Sequence, residues 1–532
     1  MGVFINTLIS GAVTQKEWEP VYEESLFMAK ELRLMDIDKV DVCGRELYCA
    51  VPSHEYTSRS RFGDESIGWC TCGDLVTLRR AESHYTPKSF DNKPIECGSD
   101  DALMQMVPRY ADYVYNDPAA KKFYCCHNIW DSKTQGYPYH MLLLAIGCMI
   151  EARLGKHALV DGDITRGQCV KAVEIANDVL DEKLELPVRC DAKRLIKRVG
   201  DLPITDLEKL SVVIGAYLGT EDNAFGQLIR ENFDDAIIKK YWKKKVGEYE
   251  PNMNGFTDAM EAFFLMGFGL SDFCNFAKFD TNDAEQCKEL MKTLMDTAMY
   301  LPDKDCEDVI AIDKEAKGAY GMGKVFAQFF LAGAKNKHID RYIPLDEFRL
   351  VFRENYGRTL DTDAWLDAYI EEQNKKADDK DAADLDAHDR FSQYAKDWTK
   401  KHEDNRKKYD VCEYDDLEHY TKEAIVSPDL QTAIKKSYDF YLNACDEERF
   451  KELKAKSPED MIDYIVFQNR NVLMTREEWE KIFADIREHP ENFSRYYGMV
   501  RIRITDDLLY LIRAFTLNDD FWEYCKTLPP ED

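Results

Sequence analysis

The chain has 532 residues, 45% of them hydrophobic, and its 100 acidic and 71 basic residues leave a formal charge of −29. That is length for two to four domains and enough apolar side chain for real cores, which excludes a disordered chain. A field of this sign repels nucleic acid and anionic lipid, so neither is an expected partner, and a neutral or basic protein is.

Sixteen cysteines at irregular spacing, in a chain whose core needs no staples, read as reduced thiols. The start "MGVFINTLISGAV" has no basic n-region, and Asn6 stands where a myristoylation pattern wants Ser or Thr. The expectation is a cytoplasmic protein, neither exported nor lipidated.

In chain order, "GVFINTL" alternates like a strand, and "VDVCGRELYCAV" reads as two strands joined by a tight turn at Cys43-Gly44. Between them Thr14 and Glu17 have capping-box spacing and Val13 can staple onto Trp18, so a helix starts there. Helical periodicity then dominates over 102–116, 138–154, 165–183, 205–219, 223–245, 256–278, 283–300 and 314–335. The apolar run 141–150 is about half of the ~20 residues a membrane helix needs, and reads as a buried helix segment.

Residues 371–410 carry 22 charges in 40 positions, with Leu385, His388, Phe391, Ala395 and Trp398 along one side, as a solvated helix with one docking stripe would. After it, Ser427-Pro428 and Ser457-Pro458 place a cap before a proline at the first helical position. Met474, Thr475, Glu478 and Trp479 repeat the capping-box-and-staple spacing. The expected fold is α+β and predominantly α-helical: a small N-terminal sheet with a helix, a large helical body and a helical C-terminal unit. The expected boundaries are 1–100, 101–365, a charged helix or connector over 366–410, and 411–532.

Candidate chemistry is sparse. "HALVDGDITRGQC" sets Asp161, Asp163 and Arg166 around glycines at a helix start, where Thr165 and Gln168 form a capping box. The helix end and Arg166 could hold an anion, which two carboxylates would repel; as structure, those carboxylates complement the positive helix end. "FYCCHNIWDSKTQGYPYH" gathers His127, Trp130, Tyr137, Tyr139 and His140 about a polar turn, the composition of a recognition surface or cleft wall, or of a satisfied core.

"GAYGMGKV", from Gly318, has the spacing of a phosphate loop but offers Val325 where a hydroxyl is needed, and reads as a glycine-bearing helix. Cys70 with Cys72, and Cys125 with Cys126, lack zinc-knuckle spacing; no metal and no cofactor is expected. "KKYWKKKV", residues 239–246, reads as the basic end of a helix before it reads as a single-strand binder.

The leading functional expectation is an acidic interaction or regulatory protein that binds a protein partner, with a basic partner best matched. The alternative is a hydrolase or nucleotide-processing enzyme with a cleft lined by 123–140 and 161–168. No catalytic motif decides between them, because a carboxylate-based site leaves no local signature. The oligomeric state has no sequence signal.

Overall fold

The computed structural model describes residues 3–59, 65–90, 99–108, 126–251, 253–301, 339–379, 397, 400–469, 472–501 and 506–529. It is 59% helical with small antiparallel sheets, an α+β and mainly α-helical fold. The chain forms two compact units interleaved in sequence: unit 1 holds 1–32, 55–69 and 82–393, and unit 2 holds 33–54, 70–81 and 394–532. The hairpin near residue 43 therefore folds with the C-terminal helices, where linear reading groups it with the first hundred residues.

In unit 1, strand β1 (Phe4–Ser10) is central, antiparallel to β7 (Cys126–Lys133) on one side and β8 (Ala158–Gly162) on the other. Its partners lie far along the chain, not in the hairpin. β4 (Glu55–Arg59) pairs with the first half of β5 (Glu65–Asp74), and β6 (Arg80–Pro87) also pairs with β5. Helices α1 (Gln15–Glu31), α2 (Tyr139–Leu154) and α3 (Arg166–Val179) pack together, with α2 also lying on β1 and β8.

Nearly every residue of α2 is buried, as its continuous apolar run requires. It seats closely because Gly147 lacks a side chain: a Cβ there would stand 2.8 Å from Val160 and 3.3 Å from the Thr7 hydroxyl.

Beyond α3 the unit is a helical array with one continuous core that includes Leu195, Val213, Trp242, Phe263, Leu294, Phe352 and Leu366. Two of the expected helices are each divided in two. Residues 223–245 form Asn223–Asn232 and Asp235–Val246, the second started by Asp234, and 256–278 form Asn254–Leu265 and Leu270–Phe276 with Gly267 at φ +82° between them. The helix Thr362–Asp379 opens the charged stretch. The phosphate-loop-like segment at 318–325, the whole of the expected docking stripe from Leu385 to Trp398 and most of 102–116 lie outside the described residues.

In unit 2, β2 (Leu34–Val42) and β3 (Arg45–Pro52) form a hairpin whose two-residue turn, Cys43 at φ +54° and Gly44 at φ +82°, has the left-handed pair a tight hairpin needs. Val42, Leu47 and Cys49 join the core of helices α4 (Pro428–Asn443), α5 (Pro458–Gln468), α6 (Arg476–Glu488), α7 (Phe493–Arg501), α8 (Asp506–Leu517) and α9 (Asp519–Thr527). At the hairpin turn Arg45 reaches Glu459 and Asp463, each at 2.7 Å.

The capping boxes read from sequence at Thr14, Thr165 and Thr475 are present. At Thr165 the hydroxyl accepts from the Gln168 N–H at 3.2 Å, and the Gln168 amide oxygen accepts from the Thr165 N–H at 2.9 Å. Thr165→Ala is expected to cost about 1 kcal/mol in urea unfolding, and Thr165→Ser only a few tenths. An alanine variant as stable as the parent would remove the cap from the account of α3.

Candidate functional site

The residues singled out from the sequence fall into two groups, both tied into unit 1. β7 runs beside β1, so its side chains alternate between faces. Trp130, Tyr139 and His140 are buried to within 1% of completely, and Tyr137 is 6% exposed. The Trp130 Nε1–H donates to the Thr86 hydroxyl at 3.1 Å, and its ring meets Trp69 edge to face. His127 is half-buried and stacked on Phe90 at 5.8 Å, and burial pushes its pKa down. These rings are core side chains and wall elements, not an open recognition surface. The segment turns inward because β1 pairs along β7 and β6 lies against it through Glu82, His84 and Thr86.

The second group is the loop before α3. Asp161 pairs with the buried Arg189 at 2.5 Å, and Arg189 also donates to the carbonyls of Ala216 and Val160. Asp163 accepts from the Phe4 N–H at 2.7 Å, and Arg166 donates to the Cys190 carbonyl at 3.3 Å. Behind them the buried carboxylate of Glu151 accepts from the N–H groups of Val160 and Val188 at 2.9 and 2.8 Å, its pKa raised by burial. Asp163 and Glu151 accept from backbone N–H groups of β1, β8 and the 188–190 turn, and Asp161 holds the Arg189 side chain, so the loop is a structural junction.

The remaining candidates resolve similarly. Cys70 and Cys72 are buried in β5 and Cys126 in β7, while Cys125 lies outside the described residues. Among the described residues no group of three or more His, Cys, Asp or Glu side chains is arranged to hold a metal ion. In "KKYWKKKV" the Trp242 ring is buried against Phe263 and Phe268, and Lys243, Lys244 and Lys245 occupy the last helical turn. No helix among the described residues is long and apolar enough to cross a membrane.

Open, chemically dense space lies in unit 2. Two cavities, of about 280 and 460 Å³, both include His419 in their walls. The smaller is lined by Asp410, Val411, Asp416, Thr421, Glu423 and Ala424 as well; the larger draws on Glu418, Glu478, Lys481, Arg513, Asn518 and Asp520. Together they make a cleft bordered by the loop 410–423, which holds six carboxylates and one lysine in fourteen positions.

Local bonds fix that loop. Val411 bridges to Val426, the Asp410 carboxylate accepts from the Ile425 N–H at 3.1 Å, and Asp416 accepts from the N–H groups of Cys412 and Glu413. Asn518 caps α9 through its side-chain oxygen, while its amide N–H donates to the carbonyls of Glu418 and Tyr420 at 3.1 and 2.9 Å.

The floor is charged and ordered. Arg513, 5% exposed, donates to Glu418 at 2.6 Å and to Glu478 at 2.5 Å. Burial raises the Glu418 pKa against the pull of Arg513. Asp519 pairs with Arg495 at 2.5 Å, which holds its pKa down against burial, and Lys422 lies 3.1 Å from Asp520. The sequence signal for this place is the carboxylate density of 410–423; charge counting over the whole chain passes over it. No family model matches the chain, and neither does any curated protein or solved structure.

Proposed function

We propose that this protein is an acidic interaction protein that receives a basic segment of a partner protein in the cleft beside His419. The observation that carries the reading is the coincidence of open volume with the 410–423 carboxylates on walls that are already fixed. A preformed wall spares the ordering cost of binding, and a negative cleft accelerates encounter with a cationic segment. The same charges disfavour phosphate and nucleic acid ligands. A cytoplasmic setting belongs to this reading, supported by thirteen described cysteines that carry no disulfide. The enzyme alternative needs free functional groups at 123–140 and 161–168; among the described residues Trp130, Asp161, Asp163 and Arg166 are held by fixed partners, which favours the interaction reading.

A labelled Lys/Arg-rich dodecapeptide should bind at low salt and weaken steeply as salt is raised, whereas an acidic peptide of equal length should not bind. Glu423 is exposed beside the smaller cavity, and Asp520, half-buried and paired with Lys422, lines the larger one. Each surface charge is worth ~0.2–1 kcal/mol, so Glu423→Gln with Asp520→Asn should weaken the peptide by about 2-fold to 30-fold, with stability lowered by no more than about 1 kcal/mol through the loss of the Lys422 pair. Peptide anisotropy that does not respond to this double variant would place the partner elsewhere.

A further inference from the structure

We propose that His84 and His140 form an acid-sensitive latch in unit 1, His84 holding β6 onto β7 and His140 holding the first turn of α2 onto the Thr134 turn that follows β7. The frame is a row of alternate residues on β6. Glu82 accepts from the Lys133 N–H at 2.8 Å, His84 Nε2 lies 3.2 Å from the Ser132 carbonyl, and the Thr86 hydroxyl accepts from Trp130 Nε1–H at 3.1 Å. Because side chains of a strand alternate, positions 82, 84 and 86 point the same way, and His84 is the middle rung.

The two imidazoles are built differently. His84 has a carbonyl at each nitrogen, Glu82 O at 3.0 Å from Nδ1 and Ser132 O at 3.2 Å from Nε2. A neutral ring can donate to only one of them, and an imidazolium satisfies both. His140 Nδ1 lies 2.8 Å from the Thr134 hydroxyl, which also reaches the Val3 carbonyl at 3.2 Å. A hydroxyl has one proton: with it donated to Val3, Nδ1 carries the ring proton and Nε2 is bare. That Nε2 is buried with no hydrogen-bond partner among the described residues.

Both rings are at most 1% exposed. Among the described residues, His84 is faced by Glu82 on β6, Lys133 on β7, which is 3.7 Å from the Glu82 carboxylate, the Tyr139 ring on α2 at 6.1 Å and the Trp130 ring on β7 at 6.4 Å, and His140 by the Thr134 hydroxyl and, through space, His84. Trp69 on β5 backs Trp130. Glu82 favours the charged form of His84, whereas His84 opposes a charge on His140. Both rings still resist a proton while closed: at His84 the charge would have a carbonyl at each nitrogen but stay buried, and at His140 it would be buried with no acceptor at Nε2 among the described residues. Taking up the two protons therefore requires β6 and the α2 turn to lift.

Burial pushes both pKa values down from the ordinary 6.5 to about 4. An opened state with ordinary histidines binds more protons than the closed one between those values. The latch is fully closed above pH 6.5 and weakens as pH falls toward 4.

The test is hydrogen exchange of the β7 and α2 amides in the full chain between pH 7.5 and 4.5, corrected for intrinsic exchange, with and without His140→Phe. Two protons linked to opening raise the open fraction by up to about 100-fold per pH unit, and His140→Phe should lower this to about 10-fold at most. An open fraction that is flat with pH, or a slope unchanged in the variant, overturns the latch. Imidazole NMR titration of the unmodified protein needs no variant: rings that stay neutral below pH 5.5 support it, and a titration near 6.5 at both rings overturns it.

Discussion

Trp130→Ala is expected to destabilise the protein by about 3–5 kcal/mol, the cost of emptying a buried aromatic site. Trp130 is 1% exposed, its Nε1–H is held by Thr86, and its ring edge lies within 3.6 Å of the position a Gly147 side chain would occupy. Close packing around it leaves little room for collapse into the void. Trp130→Phe should cost less, about 1–3 kcal/mol, because it keeps most of the apolar ring but strips the buried Thr86 hydroxyl of its donor. Urea unfolding followed by far-UV circular dichroism separates the two, and the same proteins should bind the basic peptide unchanged. A Trp130→Ala protein within 1 kcal/mol of the parent, or one with lost peptide binding at full stability, would return this segment to the role of a contact surface.

What the sequence makes legible is what is decided within a few residues. Capping boxes at Thr14, Thr165 and Thr475, the cap-proline starts at Ser427 and Ser457, and the tight turn at Cys43-Gly44 all concern donors and acceptors no more than three positions apart, and all are present. The α+β, mainly helical class follows from the same periodicity.

Pairing across distance is not legible in this way. β1 carries the alternation of a strand, yet nothing in "FINTLIS" names 126–133 and 158–162 as its neighbours. Arg45 finds Asp463 418 residues later. The aromatic segment misleads for a related reason: its composition suits a surface and a core equally, and the choice is made by β1, β6 and α2, which cover it. At the cleft the carboxylate density of 410–423 is visible in the sequence. Its floor is not, because Arg513 lies 95 residues from Glu418.

Arg513→Met is expected to cost about 3–5 kcal/mol at neutral pH, the usual result of removing one partner from a buried ionic group. The guanidinium lies between Glu418 and Glu478 and also donates to the Leu473 carbonyl, so its loss leaves two carboxylates and a backbone acceptor without their cation. The deficit should be pH-dependent in a definite direction. Burial already raises the Glu418 pKa, and without Arg513 it rises further, so the variant suffers above that value and recovers as acid neutralises the group. Adding Glu418→Gln should restore part of the loss at neutral pH and remove most of the recovery in acid. Stability and binding should then move in opposite senses, because a floor stripped of the Arg513 guanidinium is more negative toward the cleft. A basic peptide that binds only the folded chain stabilises it by RT ln(1 + [L]/Kd), about 2.7 kcal/mol at a hundredfold excess over Kd. In urea unfolding with and without the Lys/Arg-rich peptide, Arg513→Met should therefore show the larger peptide-induced gain. Equal gains in parent and variant would mean that Arg513 does not face the bound segment, and that the peptide, if it binds, sits on the outer carboxylates alone.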